Sequence, residues 1–377
     1  MIQQLITGTY RLTDSYIMGT GKALPARIVP NSEFEERLET SAQWIEKRTG
    51  ISERRFAESY ETASEYGAQA AQKALDSAGI SAEDIDCIVL STTTPDMRFP
   101  STANIVQQAI CAHNAYAYDI STACSGFIFA LASAHAQIHA GLARRALVIS
   151  AELYSSIVDF SDRNTCVLFG DGAGAVVLEG NVNRETSEEE GWEQLFSTEN
   201  STYTRGQKSE DRGQKSGIRY PVSAMDSGII AISLNSEGEH SGILTCEGGG
   251  TAGRNGLRVC ENKTIRMEGK AVFKLAVRSL AERAQEVLEK ADVTLEDVDC
   301  IIPHQANIRI IERLARKIGC PMEKMFTNLH KYGNTSSASI PIALDEAYKS
   351  GRIQRGDLVL CAAAGAGFSS GAVLLRV

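Results

Sequence analysis

"AQKALDSAGISAEDIDCIVLST", residues 71–92, returns as "AQEVLEKADVTLEDVDCIIPHQ", residues 284–305, and this echo decides the fold. Ala71 aligns with Ala284 and Cys87 with Cys300, an offset of 213 residues. Each copy places apolar residues three and four apart, then a polar turn, then a β-branched run too apolar for a half-exposed strand. The pattern predicts a helix, a turn and a buried strand, twice. Weaker echoes join "RRALVISAE" (144–152) to "RGDLVLCAA" (355–363) and "GAVVLE" (174–179) to "GAVLLR" (371–376). Two halves of like topology follow, 1–180 and 221–377, each alternating strands with helices in the manner of mainly parallel, helix-covered sheets. Residues 181–220 break the pattern: polar, charged and carrying "RGQKS" twice, they read as a solvated insertion between the halves.

The chain has 377 residues, a formal net charge of −9 and 6% aromatic residues. That balance suits a globular protein and offers no overall attraction to nucleic acid or anionic lipid. No stretch approaches a membrane span, and the first residues lack a basic head before an apolar block. The nine cysteines are scattered, with no CxxC pair and no metal-like Cys/His spacing. A cytoplasmic protein with reduced thiols and no bound metal is expected.

Sites in such folds gather beyond the carboxyl ends of strands. Cys124 stands there, where "AYAYDIST" meets the small-residue helix "SGFIFALASAHAQIHAG". The helix N-terminus is expected to favour thiolate over thiol at this position. The same backbone N–H groups could receive a thioester carbonyl as it turns tetrahedral. His304 follows the second-copy strand, and Asn334 precedes the helix that mirrors the Cys124 helix. Alone, the first reads as a hydrogen-bonded structural histidine and the second as a helix cap. The repeat brings them to the level of Cys124. Cys, His and Asn together fit papain-like hydrolysis, with histidine as base. They fit better two neutral N–H donors that stabilise the enolate formed when a malonyl group loses carbon dioxide.

These residues are where the chain resembles β-ketoacyl-acyl-carrier-protein synthase III, of the thiolase superfamily. The resemblance rests on "WIEKRTGISERR" (44–55), "STACSGF" (121–127), "SDRNTCVLFGDGAGAVVL" (161–178), "PHQANIRI" (303–310) and "YGNTSSASIP" (332–341). It covers nearly everything outside the first dozen or so residues and the insertion. It implies an αβαβα fold of two similar halves, each with a five-stranded mixed sheet, in a homodimer. It implies decarboxylative condensation of an acyl-CoA starter with malonyl-acyl carrier protein, initiating fatty acid biosynthesis, with coenzyme A thioesters as substrates and no cofactor.

Residue by residue, the resemblance makes Cys124 the acyl acceptor and His304 and Asn334 the decarboxylation pair. Backbone N–H groups of Cys124 and Ala366 would form the oxyanion hole. Trp44 and Arg163 would hold the adenine of coenzyme A between them, with Arg48 and Thr49 near the nucleotide and Asn307 along the pantetheine. Phe169 and Ala364 would line the acyl pocket, and Phe99 would cross the dimer interface to the partner's pocket. On the helix "ANIRIIERLARKIG", Ile311, Leu314 and Ile318 share one face and Arg309, Arg313 and Arg316 another, with Lys317 adjoining. With Lys274, this basic stripe is the expected carrier-docking site. The "FGDGAGA" glycines lie between two strand-like runs and read as a turn, not a dinucleotide loop. The sequence departs from the family at Ala364-Gly365-Ala366-Gly367-Phe368, where relatives commonly carry Phe-Gly-Gly-Gly-Phe. The rival readings are a related condensing enzyme or acyltransferase of a specialised pathway, making a secondary metabolite or pimeloyl-type precursor, and a non-catalytic coenzyme A-binding module.

Overall fold

The computed structural model describes residues 15–180, 227–248 and 264–377. The insertion at 181–220 and the first dozen residues lie outside them. After α1 (Ala42–Thr49), the repeated helices are α2 (Ala63–Ala78) and α5 (Gly269–Ala291). A capping box starts α2, the Thr62 side chain bonding Glu65 N while the Glu65 carboxylate returns to Thr62 N. Both helices stop on a left-handed residue, Gly79 (φ 69°) and Asp292 (φ 56°), which the 213-residue offset superimposes. A polar turn follows each, then the buried strands Cys87–Ser91 and Cys300–Pro303.

Five strands form the first sheet: β1 (Ser15–Ala23), β2 (Cys87–Ser91), β3 (Tyr116–Ile120), β4 (Arg145–Leu153) and β5 (Asp171–Gly180), in the order β1-β5-β4-β2-β3. β4, β2 and β3 run parallel and β5 and β1 antiparallel. The second sheet takes β6 (Gly228–Ser236), β7 (Cys300–Pro303), β8 (Leu358–Gly365) and β9 (Ser369–Arg376) in the order β7-β8-β9-β6. Its pairings repeat the first: β7 with β8 parallel, β8–β9 and β9–β6 antiparallel. Among the described residues this sheet has four strands, not the expected five. The counterpart of β3 shrinks to one bridge, Ile301 with Met325. Beyond it the Gln305 side chain replaces the ladder, donating to Phe326 O at 3.3 Å and accepting from Asn328 N at 3.0 Å. A side chain that satisfies both backbone groups removes the need for a neighbouring strand.

Helices α2 and α3 (Thr102–Ala109) cover the outer face of the first sheet, and α5 and α6 (Ile308–Ile318) that of the second. Between the sheets lie α4 (Gly126–His139) and α7 (Ser339–Lys349), which the offset also superimposes at their first residues. Phe127, Ile128, Leu131, Ile340, Ala343 and Leu344 bury this layer against strands of both sheets. The result is the expected αβαβα stack. Each central helix is entered through a 3₁₀ turn, Ala123–Ser125 and Ser336–Ala338, that opens on a non-glycine residue with positive φ: Ala123 at 47°, Ser336 at 50°. Such backbone costs on the order of 1–3 kcal/mol and collects at functional sites. Gly126 lets the two turns meet, since a β-carbon there would fall 1.8 Å from Ser91 Oγ and 3.1 Å from Ser337 Cβ.

One local expectation changes. The "FGDGAGA" glycines are not a turn, because Asp171 onward already belongs to β5. The buried Asp171 carboxylate accepts from Ala57 N and Ser155 N at 2.8 Å each, anchoring the start of that strand.

Candidate active site

The turn at Ala123–Ser125 delivers Cys124 to the wall of a cavity of about 950 Å³, which His304 and Asn334 also line. His304 comes from the carboxyl end of β7, its N–H donating to Ala362 O at 2.8 Å. Asn334 is fixed by its backbone: its N–H donates to Leu168 O at 2.8 Å and its carbonyl accepts from Gly170 N at 3.0 Å, a bridge opposite Phe169. The three residues that the repeat predicts to converge share one cavity wall.

Their protonation differs from expectation at the sulfur. Cys124 is 7% exposed, and burial pushes its thiol up to about 12. The Glu152 carboxylate raises it further, while a side-chain hydrogen bond from Ser336 and a backbone hydrogen bond lower it. The thiolate expected from the helix N-terminus is therefore not the resting form. The local geometry gives a reason: Ser125 N and Gly126 N are spent on 3₁₀ bonds to Thr122 O and Ala123 O, so fewer free N–H groups face the sulfur.

His304 is buried as well, and desolvation lowers its pKa to about 4, leaving a neutral imidazole. Its Nδ1 lies 2.7 Å from Ser339 Oγ. That oxygen accepts from Gln305 N at 3.3 Å, and among the described residues Nδ1 is the one acceptor within its reach, so the hydroxyl proton of Ser339 is directed to Nδ1. The remaining proton then sits on Nε2. On Asn334, Oδ1 accepts from Ser336 N at 2.8 Å, which leaves the NH₂ edge for the cavity. Two uncharged N–H donors result.

Trp44, Arg48, Thr49, Arg163 and Asn307 line the same cavity. The Arg163 guanidinium lies 5.2 Å from the Trp44 ring centroid and that of Arg48 lies 5.5 Å from it. The slot expected between Trp44 and Arg163 is thus closed, the cation resting on the ring with its NH1 donating to Glu39 O. Thr49 is committed to the backbone, donating to Ile45 O at 2.7 Å and accepting from Ile51 N at 3.0 Å. Asn307 caps α6, its Oδ1 accepting from Arg309 N at 2.9 Å.

Phe169 and Ala364 line the inner cavity, where Phe169 stacks on Tyr154 with centroids 4.9 Å apart. Gly365 packs against the nucleophile's turn: a β-carbon on Gly365 would fall 2.6 Å from Cys124 N and 3.0 Å from Ser125 N. Ala366 lies outside the lining, and its backbone has no positive φ to strain its β-carbon. Phe99 is 84% exposed and away from its own chain's cavity. Of the basic stripe, Arg309, Arg313 and Arg316 reach the cavity mouth, whereas Lys274 and Lys317 are exposed outside it.

Sequence reasoning missed Lys270 and Phe368 in the lining, and Arg54, Glu152, Tyr154, Ser336 and Ser339 behind it. Arg54 is wholly buried, donating to Val29 O at 3.1 Å and Val167 O at 2.8 Å, which pins the segment that carries Phe169. Glu152 did carry a signal, as a lone carboxylate inside the apolar run "ALVISAEL". Among the described residues, Glu237, Glu239 and His240 bring potential metal-ligand atoms within 4.8 Å of one another, outside the cavity lining, with Glu237 engaged by Arg278.

Comparison with known proteins gives consistent relatives. Residues 118–195 match the family described as 3-oxoacyl-[acyl-carrier-protein] synthase III, and residues 288–377 match the C-terminal family of the same enzyme. β-Ketoacyl-[acyl-carrier-protein] synthase III of Rhodobacter capsulatus is 45% identical over 361 residues, covering 96% of this chain and 98% of that one. The crystal structure of 3-oxoacyl-[acyl-carrier-protein] synthase III from Aquifex aeolicus is also 45% identical, with TM-score 0.79 over 96% of this chain and 100% of that one. The priming β-ketosynthase of the R1128 polyketide pathway is 30% identical, with TM-score 0.78 over 98% of this chain and 99% of that one.

Proposed function

We propose, from the premise that the chain belongs to the β-ketoacyl-acyl-carrier-protein synthase III family, that Cys124, His304 and Asn334 carry its two half-reactions. The enzyme is a condensing acyltransferase that initiates fatty acid synthesis. It joins an acyl-CoA starter to malonyl-acyl carrier protein with loss of carbon dioxide. The observation that carries the residue assignment is the single cavity in which the Cys124 sulfur meets two neutral N–H donors, His304 Nε2 and Asn334 Nδ2.

In the first half-reaction the Cys124 sulfur attacks the acyl-CoA carbonyl, and coenzyme A leaves. The Cys124 N–H, under the turn at Gly365–Ala366, is assigned to the developing oxyanion. In the second, malonyl thioester binds with its carbonyl oxygen between His304 and Asn334. Loss of carbon dioxide leaves an enolate that both donors stabilise, and its carbon attacks the acyl-cysteine. Neither donor must accept a proton. No metal or organic cofactor enters this scheme. Identity of 45% with synthases named for this reaction, against 30% with the polyketide priming enzyme, favours fatty acid synthesis over a specialised pathway. Incubation with acyl-CoA is expected to add one acyl group to the Cys124 peptide. Malonyl carrier protein then releases β-ketoacyl carrier protein, and an unmodified Cys124 across a starter panel would reject the scheme.

Trp44, Arg48 and Arg163 are assigned to the coenzyme A nucleotide, with Arg163 moving off the ring to admit the base. Stacking and cation–π terms are each worth about 1 kcal/mol. Trp44→Ala is therefore expected to raise KM for acyl-CoA about tenfold at unchanged kcat and to leave KM for an acyl-pantetheine, which lacks the nucleotide, where it was. Steady-state kinetics with the two thioesters checks this. Arg309, Arg313 and Arg316 at the cavity mouth, with Lys274 and Lys317 nearby, are assigned to the acidic carrier. A homodimer in which Phe99 enters the partner's pocket is supported by the exposure of that ring. A cytoplasmic location is supported by the buried thiols Cys87, Cys166, Cys300 and Cys361, which form no disulfide.

A further inference from the structure

A thiol held near 12 beside an imidazole held near 4 raises a question that the scheme above leaves open: where the thiol proton goes when sulfur attacks. His304 is a poor destination, because its Nε2 already carries a proton and its Nδ1 is taken by Ser339. On the other side of Cys124 a continuous file of hydroxyls leads away from the cavity. Ser336 Oγ lies 3.6 Å from Cys124 Sγ and 2.8 Å from Tyr154 Oη. Tyr154 Oη lies 3.1 Å from Thr93 Oγ1, which lies 3.0 Å from Glu152 Oε2. We propose that this file, Cys124–Ser336–Tyr154–Thr93–Glu152, is a proton relay that carries the thiol proton to the buried Glu152 carboxylate during acylation and returns it during condensation. The proposal rests on the assignment of Cys124 as acyl acceptor.

Hydroxyl counting supports it. Each hydroxyl has one proton to donate, so a file of three can be ordered in two ways. With a thiol and a carboxylate at the ends, Cys124 donates to Ser336, Ser336 to Tyr154, Tyr154 to Thr93 and Thr93 to Glu152. With a thiolate and a carboxylic acid, every bond reverses. The two orders are the two protonation states of the relay, and one proton shift along each bond interconverts them.

The end group suits the role. Glu152 is wholly buried, and its other partners are hydroxyls and one amide: Thr93 N at 3.0 Å and Thr94 Oγ1 at 3.2 Å on Oε2, Ser337 Oγ at 2.7 Å on Oε1. Desolvation raises its pKa against these donors, so it is a better proton acceptor than a surface carboxylate. Burial holds Tyr154 well above its ordinary value, so it passes protons as a neutral phenol. The titratable groups that bear on the file are its own Cys124, Tyr154 and Glu152, and His304 across the cavity.

The atoms balance over the cycle. In acylation the S–H bond of Cys124 breaks, its proton ending on Glu152, while sulfur bonds the acyl carbon. Coenzyme A leaves with the electron pair of its C–S bond and takes a proton from solvent. In condensation the malonyl group gives carbon dioxide and an enolate, which displaces Cys124 as thiolate. Glu152 returns its proton to that thiolate along the reversed file.

Cutting the file without changing its shape tests the proposal. The acylation rate of Cys124 is measured by rapid quench and mass spectrometry from pH 6.5 to 9 in the wild type, Tyr154→Phe and Thr93→Val. In the wild type the proton stays inside the protein, so the rate is expected to be flat. In both variants it must leave to bulk base. Acylation is then expected to be about 100-fold slower at pH 7 and to rise about tenfold per pH unit. Variants that keep a flat profile, whether at the wild-type rate or merely slower throughout, would overturn the relay. Absence of acyl-Cys124 in the wild type would instead overturn the assignment on which it rests.

Discussion

Cys124→Ala is expected to lower acyl transfer by on the order of 10⁴-fold or more, while release of carbon dioxide from malonyl carrier protein persists. The two activities separate because they use different atoms. Acyl transfer needs the sulfur, which is the atom that bonds the acyl carbon. Enolate formation needs only His304 Nε2–H and Asn334 Nδ2–H, and each is oriented without help from Cys124: one by Ser339, the other by Ser336 N. The fold should tolerate the change. Cys124 is buried in the wall of a cavity that already exists, so losing its sulfur costs about 1 kcal/mol and a few degrees of melting temperature at most. Assaying labelled carbon dioxide and acyl-CoA consumption side by side checks the split. A well-folded variant that loses both would show that the sulfur belongs to the decarboxylation site too.

How much of this was written in the sequence depends on which residues speak through the repeat. The pairs Cys87/Cys300 and Gly79/Asp292 fix where a helix stops and a buried strand begins in both halves, so the layered fold could be read from one offset. Cys124, His304 and Asn334 were legible for the same reason: Cys124 and His304 each follow a strand, and Asn334 precedes the turn that mirrors the one carrying Cys124. The missing fifth strand was not, because it depends on Gln305 turning back onto Phe326 and Asn328, a tertiary event with no periodic trace. The thiol state was not legible either. A helix N-terminus can be seen in a sequence, but desolvation depends on what the other half packs over it. Here that is the turn at Ser336–Ala338 together with β8. The offset does pair Ala123 with Ser336, and this points to the partner that orients the nucleophile's surroundings.

His304→Ala distinguishes the histidine as a hydrogen-bond donor from the histidine as the base of a cysteine–histidine pair. If its Nε2–H only holds the enolate oxygen, the variant should acylate Cys124 within a few-fold of the wild-type rate. Decarboxylation and condensation should fall about 10²–10³-fold, the cost of one such donor. If it were the base, acylation would collapse with the rest. The pH dependence points the same way. A free imidazole near 6.5 would gain a proton as pH falls through the neutral range, but burial lowers that of His304 to about 4. The neutral donor therefore persists at pH 5.5, and condensation by the wild type should show no inflection near 6.5 that His304→Ala removes. Stability carries the opposite signature. Between about 6.5 and 4 the unfolded chain binds a proton at this position that the folded chain refuses, so the native state loses stability as pH falls through that window. His304→Ala should lessen that loss, measured as the difference in denaturant midpoint between pH 7 and pH 4.5. An inflection near 6.5 in condensation, together with loss of acylation in the variant, would assign the proton to the imidazole and not to Glu152.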